Sequence, residues 1–512
     1  MDVSTPFVAL LFIGLLSLFL LVARKPSPSC GDGRRLPPSP PGLPLLGHLP
    51  LLGSLPHRKL RSLAEAHGPV MLLRLGRVPT VVASSAAAAQ EAMKTRDLAF
   101  ASRPRVRMAE RLLYGSDMAF APYGEHWRQA RRVCVLHLLS QRRVLSFRRA
   151  REREAAALLD RVRRAAVRDA VNLSDLLISY TNGVFLRAAF GDDVGGYELD
   201  GGEKLRKVFA DFEELLGTVT VGEFVPWLAW LDTLTGLDAK VTHTFEEMDA
   251  LIERVIADHR QRRRGGRRKE DDHRDFVDVL LDVNEMEEDA DGVRFDTAAI
   301  KAIVLDVFAA ATDTAYTTLV WAMAELINHP HEMRRVQEEI RAAVGGGDHV
   351  TEDHLSELRY LKSVIKETLR LHTPLPLLLP RETVEDTELL GYHVPARTRV
   401  VINAWAIARD PATWERAEEF VPERFADDDP TDDQYALGQD FRFVPFGAGR
   451  RGCPGVEFGV PTIELALASL LYHFDWELPA GGASTLDMDE LNGLSVRLKA
   501  TLHLVSKPWS PQ

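Results

Sequence analysis

Apolar positions along this chain change their spacing several times, and each change predicts a different kind of element. Residues 7–23 are nearly all Leu, Phe, Val and Ile, interrupted by Ala9, Gly14 and Ser17. Such a run predicts a membrane-spanning helix at the short end of the usual length, with an insertion free energy on the order of -4 to -8 kcal/mol. A cleaved signal peptide is the competing reading, but Asp2 stands where a positive region belongs and no Ala-x-Ala site follows. Arg24, Lys25, Arg34 and Arg35 come after the run, which predicts a cytosolic body. The Pro-rich stretch 36–44 then reads as a stiff, extended spacer.

Val/Leu-rich runs at 70–75 and 80–83, separated by Gly76 and Pro79, read as strands. Helical spacing takes over at 141–165, 204–216 and 245–262. Asp296 is an N-cap candidate for a long helix running to about Asn328, ahead of Pro330. A helix after Cys453 contains Gly459 and Pro461, and an interior proline predicts a local kink. The expected fold class is mainly α with a small β region, preceded by an N-terminal transmembrane helix.

Composition narrows the chemistry. A net charge of -11 excludes a general nucleic-acid binder. Three cysteines, Cys30, Cys134 and Cys453, are too few for a disulfide framework or a zinc cluster and fit a reducing compartment. One of them stands in Pro445-Phe446-Gly447-Ala448-Gly449-Arg450-Arg451-Gly452-Cys453-Pro454-Gly455. Pro454 suits the first position of a helix, where its missing N–H would be unpaired anyway. Cys453 would then precede a helix N-terminus, whose free N–H groups and dipole stabilise a thiolate. A thiolate held this way suits haem iron, onto which it pushes electron density. The glycines let the loop lie against a porphyrin, Phe446 can shield the sulfur, and Arg451 can pair with a propionate. Two other readings are a structural cysteine in a Gly-rich turn and a dinucleotide loop. The second lacks a strand–turn–helix unit with a following acid.

This run resembles the haem-binding loop of the cytochrome P450 family, Phe-x-x-Gly-x-Arg-x-Cys-x-Gly. Phe446, Gly449, Arg451, Cys453 and Gly455 meet that pattern without departure. Its form looks like the plant microsomal branch, and the resemblance extends from about residue 36 to the C-terminus. It implies haem b (heme b), with the iron ligated axially by the Cys453 thiolate. The implied division is a membrane anchor at 1–25, a basic and Pro-rich hinge at 26–50, and a haem-thiolate monooxygenase domain at 51–512.

Three further constellations belong to that picture. In 308–315, small residues stand beside Asp313 and Thr314 at the centre of the long helix. A buried threonine there bonds back to the carbonyl four residues earlier, bends the helix and can admit water. Asp313, Thr314 and that water can relay protons; a small-residue packing face is the alternative. The family's (Ala/Gly)-Gly-x-(Asp/Glu)-Thr-(Thr/Ser) is matched at Asp313 and Thr314, while Ala311 replaces Gly and Ala315 replaces Thr or Ser. Glu367 and Arg370 lie one helical turn apart, and as a surface pair would contribute 0 to roughly 1 kcal/mol. The resemblance adds Arg424 and implies a structural Glu367–Arg370–Arg424 network. Trp127 and Arg131, at i and i+4, leave one helical face and can both donate to a propionate, unless they belong to a surface amphipathic helix. They match the family's Trp-x-x-x-Arg, and Arg381 is a further propionate candidate.

The implied function is insertion of one oxygen atom from O2 into a small lipophilic substrate. A plant secondary metabolite, indole-derived, phenolic or terpenoid, is expected, since 108–122, 308–311, 375–379 and 493–496 match the family's substrate-facing regions and are mainly apolar. No flavin or nicotinamide motif is evident, so electrons are expected from an NADPH-dependent flavoprotein reductase, with cytochrome b5 as a second donor. Arg128, Arg132, Arg442 and Arg450 are candidates for its basic docking patch. The expected location is the endoplasmic reticulum membrane, with a single-pass N-terminal anchor, lipid contact and no nucleic-acid partner. A haem-thiolate isomerase or dehydratase needing no external electrons, and a non-enzymatic haem sensor, are the alternatives. NADPH dependence separates the first and substrate turnover the second.

Overall fold

The two apolar hexapeptides near the N-terminus fold back on each other through Gly76-Arg77, where Gly76 has a φ of 58°. In the computed structural model, which describes residues 34–166, 170–191, 203–265, 274–286, 295–426, 437–481 and 484–510, they form β1 (Val70–Leu75) and β2 (Val78–Ala83). β2 starts two residues earlier than expected. Its Pro79 pairs only with Arg74 of β1, and the parallel partner strand joins from Thr80 onward, so the missing N–H falls outside that ladder. Residues 7–23, Cys30 and the 26–33 part of the hinge lie outside the described residues, and among those described no helix is long and apolar enough to cross a membrane.

Helices carry most of the remainder. Those used below are α1 (Glu125–Val133), α2 (Leu173–Phe190), α3 (Glu203–Leu216), α4 (Leu237–Arg264), α5 (Thr297–Asn328), α6 (Arg359–Leu371) and α7 (Val456–His473). The short strands used below are β3 (Arg381–Glu382), β4 (Arg399–Ile402), β5 (Glu490–Leu491) and β6 (Arg497–Leu498). The four-stranded sheet has the order β1-β2-β4-β3, and β5 pairs with β6. The sequence pattern at 141–165 predicts one helix where there are two. Phe147 leaves helical geometry (φ -86°, ψ 3°) and packs edge-on against Phe276 and Phe458, dividing Gln141–Ser146 from Arg148–Ala165. Tertiary packing overrides periodicity at that point.

α5 is the axis of the molecule. Asp296 caps it by accepting the Ala299 N–H at 2.7 Å, and it ends just before Pro330. It is apolar on nearly every side, as a helix enclosed by others must be, and it packs against α2, α6 and α7. α7 begins at Val456 with Gly455 as its N-cap, so Pro454 precedes the cap instead of opening the helix, and Cys453 lies two residues further out than the sequence suggests. The helix continues through Pro461.

Glu367 and Arg370 on α6 are not a surface pair. Both side chains are fully buried. Arg370 grips Glu367 with Nε and Nη2, both at 2.8 Å, and spends its other N–H groups on the carbonyls of Ala408, Ala417 and Glu419 at 2.7–2.9 Å. Arg424 Nε (3.1 Å) and the Val421 N–H (2.8 Å) also donate to Glu367. One ion pair thus lashes the segment 408–424 onto α6, with every guanidinium donor satisfied. Removing one partner leaves the other charged and buried, so Arg370→Ala is expected to cost about 3–5 kcal/mol. Equilibrium denaturation measures this, and a loss below about 1 kcal/mol would fit only an exposed pair.

Candidate active site

The loop leading into α7 is held in place by its backbone. Gly449 has a φ of 69°, and a Cβ there would stand 2.2 Å from the Met93 carbonyl oxygen, so only glycine fits. The Cys453 N–H donates to the Phe446 carbonyl at 2.9 Å, and the Gly455 N–H points at Cys453 Sγ at 3.4 Å. Phe446 packs against the main core. The two described cysteines differ sharply. Cys134 is wholly enclosed, and burial pushes its thiol up to about 12. Cys453 is half-buried; burial raises its thiol too, but the Gly455 N–H and the Arg131 guanidinium oppose that rise.

Guanidinium groups crowd around this loop. Arg451 is buried and stacks on Trp127 at 4.1 Å, donating to the carbonyls of Ala101 and Ala121 at 2.7 Å. Arg381 donates to the Ala448 carbonyl (2.8 Å) and to Asp97 (3.3 Å), whose second oxygen accepts from the Arg450 N–H and side chain. Arg103, which spacing does not single out, donates to the carbonyls of Ala119, Leu379 and Pro380 at 2.6–3.1 Å. Burial, reinforced by mutual repulsion, pushes Arg451 down to about 9 and holds Arg103 well below its ordinary value. Burial likewise lowers Arg381 and Arg131. On α1, neither the Trp127 indole N–H nor the Arg131 guanidinium hydrogen-bonds to protein among the described residues. Buried like charges with idle donors make a cradle for an anion.

A second open surface lies on α5. The helix is buried continuously over Ala299–Ala309, then shows surface at Ala310, Ala311 and Thr314, and closes again beyond Tyr316. An exposed patch halfway along a buried helix borders an internal space. Thr314 Oγ1 donates to the Ala310 carbonyl at 2.6 Å. Asp313, by contrast, faces away from solvent. It is fully buried, and Arg497 of β6 pairs with its Oδ1 while Oδ2 has no partner among the described residues. Arg497 also reaches Glu213 of α3 at 3.2 Å, and Glu213 accepts from Thr312 at 2.7 Å. Neither Glu213 nor Arg497 carries a local signal in the sequence, because each meets Asp313 only through the fold. Of the remaining expected residues, Gly455 caps α7, and Arg128, Arg442 and Arg450 are each committed to an acid, Glu125, Asp440 and Asp97.

A haem fits this donor set. The thiol sits at one end of the cradle, apolar side chains flank it, and the surplus of buried positive charge suits two propionates. The chain bears the same stamp when set beside known proteins. The family model described as Cytochrome P450 matches residues 37–504. Cytochrome P450 71A1 of Persea americana is 47% identical over 90% of this chain and 91% of its own length. Norfluorocurarine oxidase of Strychnos sp is 44% identical over 95% of each, and phenylacetaldehyde oxime monooxygenase of Prunus mume 42% over 97% of this chain and 94% of its own. A zebra fish cytochrome P450 solved with progesterone superposes with a TM-score of 0.76 over 88% of this chain and 99% of that one, and at 24% identity it shows a shared fold. A family match across nearly all of the body, with such relatives over nine-tenths of the chain, means that this chain belongs to the cytochrome P450 family and is a monooxygenase whose haem iron is held by a cysteine.

Proposed function

We propose that Cys453 is the iron ligand, and that the enzyme inserts one oxygen atom from O2 into a small lipophilic plant metabolite of indole-derived, phenolic or terpenoid type. The observation that carries this reading is the half-buried Cys453 sulfur, supported by the Gly455 N–H, beside a cluster of buried arginines. Haem bound here supplies the oxygen chemistry. The protein's own groups hold and protect it. Trp127 and Arg131 donate to a propionate; Arg451 and Arg381 fix the flanking loops through their carbonyls and add positive potential; Phe446 covers the sulfur; Gly449 and Gly455 let the loop run close. Glu367, Arg370 and Arg424 keep the segment before that loop in register.

Thr314 and Asp313 manage protons. The Thr314 hydroxyl lies on the open face of α5 and can exchange its Ala310 carbonyl for a water molecule, while Asp313 takes up and releases a proton behind it. The Ala311 methyl narrows that space and shapes the pose of the substrate. Phe120, Ala311 and Leu494 are partly buried apolar side chains, and Phe308 packs on Phe209 with ring centroids 3.9 Å apart. These surroundings favour an uncharged substrate. Two relatives named for acting on norfluorocurarine and phenylacetaldehyde oxime fit the same class.

P450 enzymes work with a redox partner, a substrate and O2. We assign the donor role to an NADPH-dependent flavoprotein reductase, with cytochrome b5 as a second donor. Three of the four arginines expected to dock it are already paired with acids, which weakens the case for that patch. For location we assign the endoplasmic reticulum membrane, with residues 1–25 as anchor, 26–50 as hinge and 51–512 as the catalytic body. An apolar surface supports the membrane reading. Leu43 and Leu45 are exposed on one side of the β1–β2 turn, and Val219, Trp227, Trp230 and Leu234 on the other. The turn joins them, since the Gly76 N–H donates to Leu46 and the Arg77 N–H to Phe224. Large apolar side chains exposed together on a protein surface mark a contact.

Three outcomes follow. The reduced, carbon-monoxide-bound wild type should absorb at the thiolate position, and Cys453→Ala should lose that band; a histidine-type spectrum in the wild type would overturn the ligand assignment. Thr314→Ala should keep the thiolate band and consume NADPH, yet divert more of it to hydrogen peroxide. Positioned proton transfer is worth roughly 10²–10⁴-fold in a step, so unchanged product per NADPH would remove Thr314 from the proton path. Deleting residues 1–25 should leave partial membrane binding, which Trp227→Ser with Trp230→Ser should abolish in flotation with lipid vesicles; full solubility of the deletion alone would assign all binding to the anchor.

A further inference from the structure

Behind Asp313 lies a group of side chains that the monooxygenase reading does not use. Glu213 and Asp313 both accept from the same nitrogen, Nη2 of Arg497, so the two carboxyl groups are immediate neighbours. Two carboxylates facing one guanidinium leave a net negative charge in a buried place, unless one proton is retained. Asp313 Oδ2, buried and without a partner among the described residues, is an open acceptor beside them. Arg497 is a third exposed, so the cluster reaches solvent along one edge only.

Thr312 adds a switchable hydrogen bond. Its hydroxyl lies 2.7 Å from Glu213 Oε1 and 2.9 Å from the Phe308 carbonyl, and one hydrogen can serve only one of them. A protonated Glu213 donates to Thr312, which then donates to Phe308. An ionised Glu213 accepts from Thr312 instead. α3 therefore stays tied to α5 in both states, and the proton can leave without the two helices parting. The end of α3 is also held close to the β5–β6 connection that leads to Arg497: a Cβ on Gly217, just past α3, would stand 2.4 Å from the Leu494 nitrogen.

We propose that Glu213, held by Arg497 and Thr312, stores one exchangeable proton beside Asp313 and replaces the proton that Asp313 gives up in each turnover. The inference rests on the proton role of Asp313 and Thr314 set out above. In the step, the Glu213 O–H bond breaks and a bond forms to Asp313 Oδ2 through one intervening water. Glu213 then regains a proton from solvent at the exposed edge of Arg497. No electrons move, and those of the overall reaction come from the redox partner. Glu213 does not touch the reacting atoms; it acts through Asp313 as a positioning residue.

Its charge environment suits storage near neutral pH. Burial, then the Asp313 carboxylate, push Glu213 up to about 7, against the Thr312 hydrogen bond and the Arg497 charge. Charged groups on the elements packed against α3 are engaged elsewhere. On α4, Lys240 pairs with Asp211 and Glu214, and Asp238 with Arg107 and Arg111; Arg107 also pairs with Asp232, and Glu110 with Arg105. Tyr316 of α5 lies beneath the Arg497 guanidinium at 5.5 Å. Because folding raises this carboxyl above its ordinary 4.5, the native protein binds an extra proton between the two values. Its stability therefore falls as pH rises through that window.

Infrared difference spectra of the haem-loaded wild type against Glu213→Gln, recorded across neutral pH, test this without catalysis. The wild type should show a protonated-carboxyl band that is lost with a midpoint near 7 and is absent from Glu213→Gln. Thr312→Val removes a hydrogen bond that favours the ionised form, so it should move the midpoint up. No such band, or a midpoint indifferent to Thr312→Val, would overturn the proposal. In turnover, product per NADPH in the wild type should fall as pH rises past neutral. Glu213→Gln, provided that it retains the thiolate band, should be about tenfold poorer below neutral pH and approach the wild type as pH rises past 7, and Glu213→Asp should recover part of the loss at low pH. If Thr314→Ala uncouples while Glu213→Gln matches the wild type, Glu213 alone is ruled out. If Thr314→Ala stays coupled, the underlying proton reading fails whatever the infrared titration shows.

Discussion

Three buried guanidinium groups and a half-buried fourth, gathered beside one thiol, are the constraint on which this structure turns. Arg103, Arg131, Arg381 and Arg451 come from four separate segments, and each is lowered by burial. Such a cluster is costly by itself, since like charges in a poor solvent repel. Asp97 offsets part of the cost by bridging Arg381 and Arg450. Backbone carbonyls of 101–121 and 379–380 take up much of what remains. The segments 101–121 and 379–380 are thus held by the same arginines, so on the proposed reading cofactor binding and the shape of the substrate space are physically coupled.

A second buried ion pair, Glu367–Arg370, does the same work one layer out. It fixes the segment that leads toward the Cys453 loop, using carbonyls from 408–419 as acceptors. Neither pair is there for raw stability, since desolvation takes back much of what attraction supplies. What they provide is a defined position for a chain segment that lacks regular secondary structure.

The elements legible in the sequence were those with a local cause. The N-cap Asp296, the long apolar helix that follows and the β1–β2 turn at Gly76 are each written within a few residues. Cys453 was legible because a glycine-rich loop, a thiol and arginines stand within one short run, and the match to a known loop sharpened it. Phe147 breaks a helix that periodicity makes continuous, because its ring is wanted between two other aromatics. Pro454 was off by two positions, since its helix is capped by Gly455. Arg103, Asp97, Glu213 and Arg497 could not be read, because their partners lie up to 353 residues away along the chain. Asp313 was seen as an acid on a helix, but its counter-charge is a property of the fold alone.

The central claim is that the buried arginine cluster exists to hold the carboxylates of the cofactor. Reconstituting the protein with haem b and, in parallel, with its dimethyl ester tests this most directly, because the ester keeps the iron and the ring but removes both negative charges. The account predicts that the ester binds at least about tenfold more weakly, since a single charge-assisted hydrogen bond is worth about 1.5–3 kcal/mol. It also predicts that the ester restores less of the thermal stability. Equal affinity and equal stability for the two forms would contradict it.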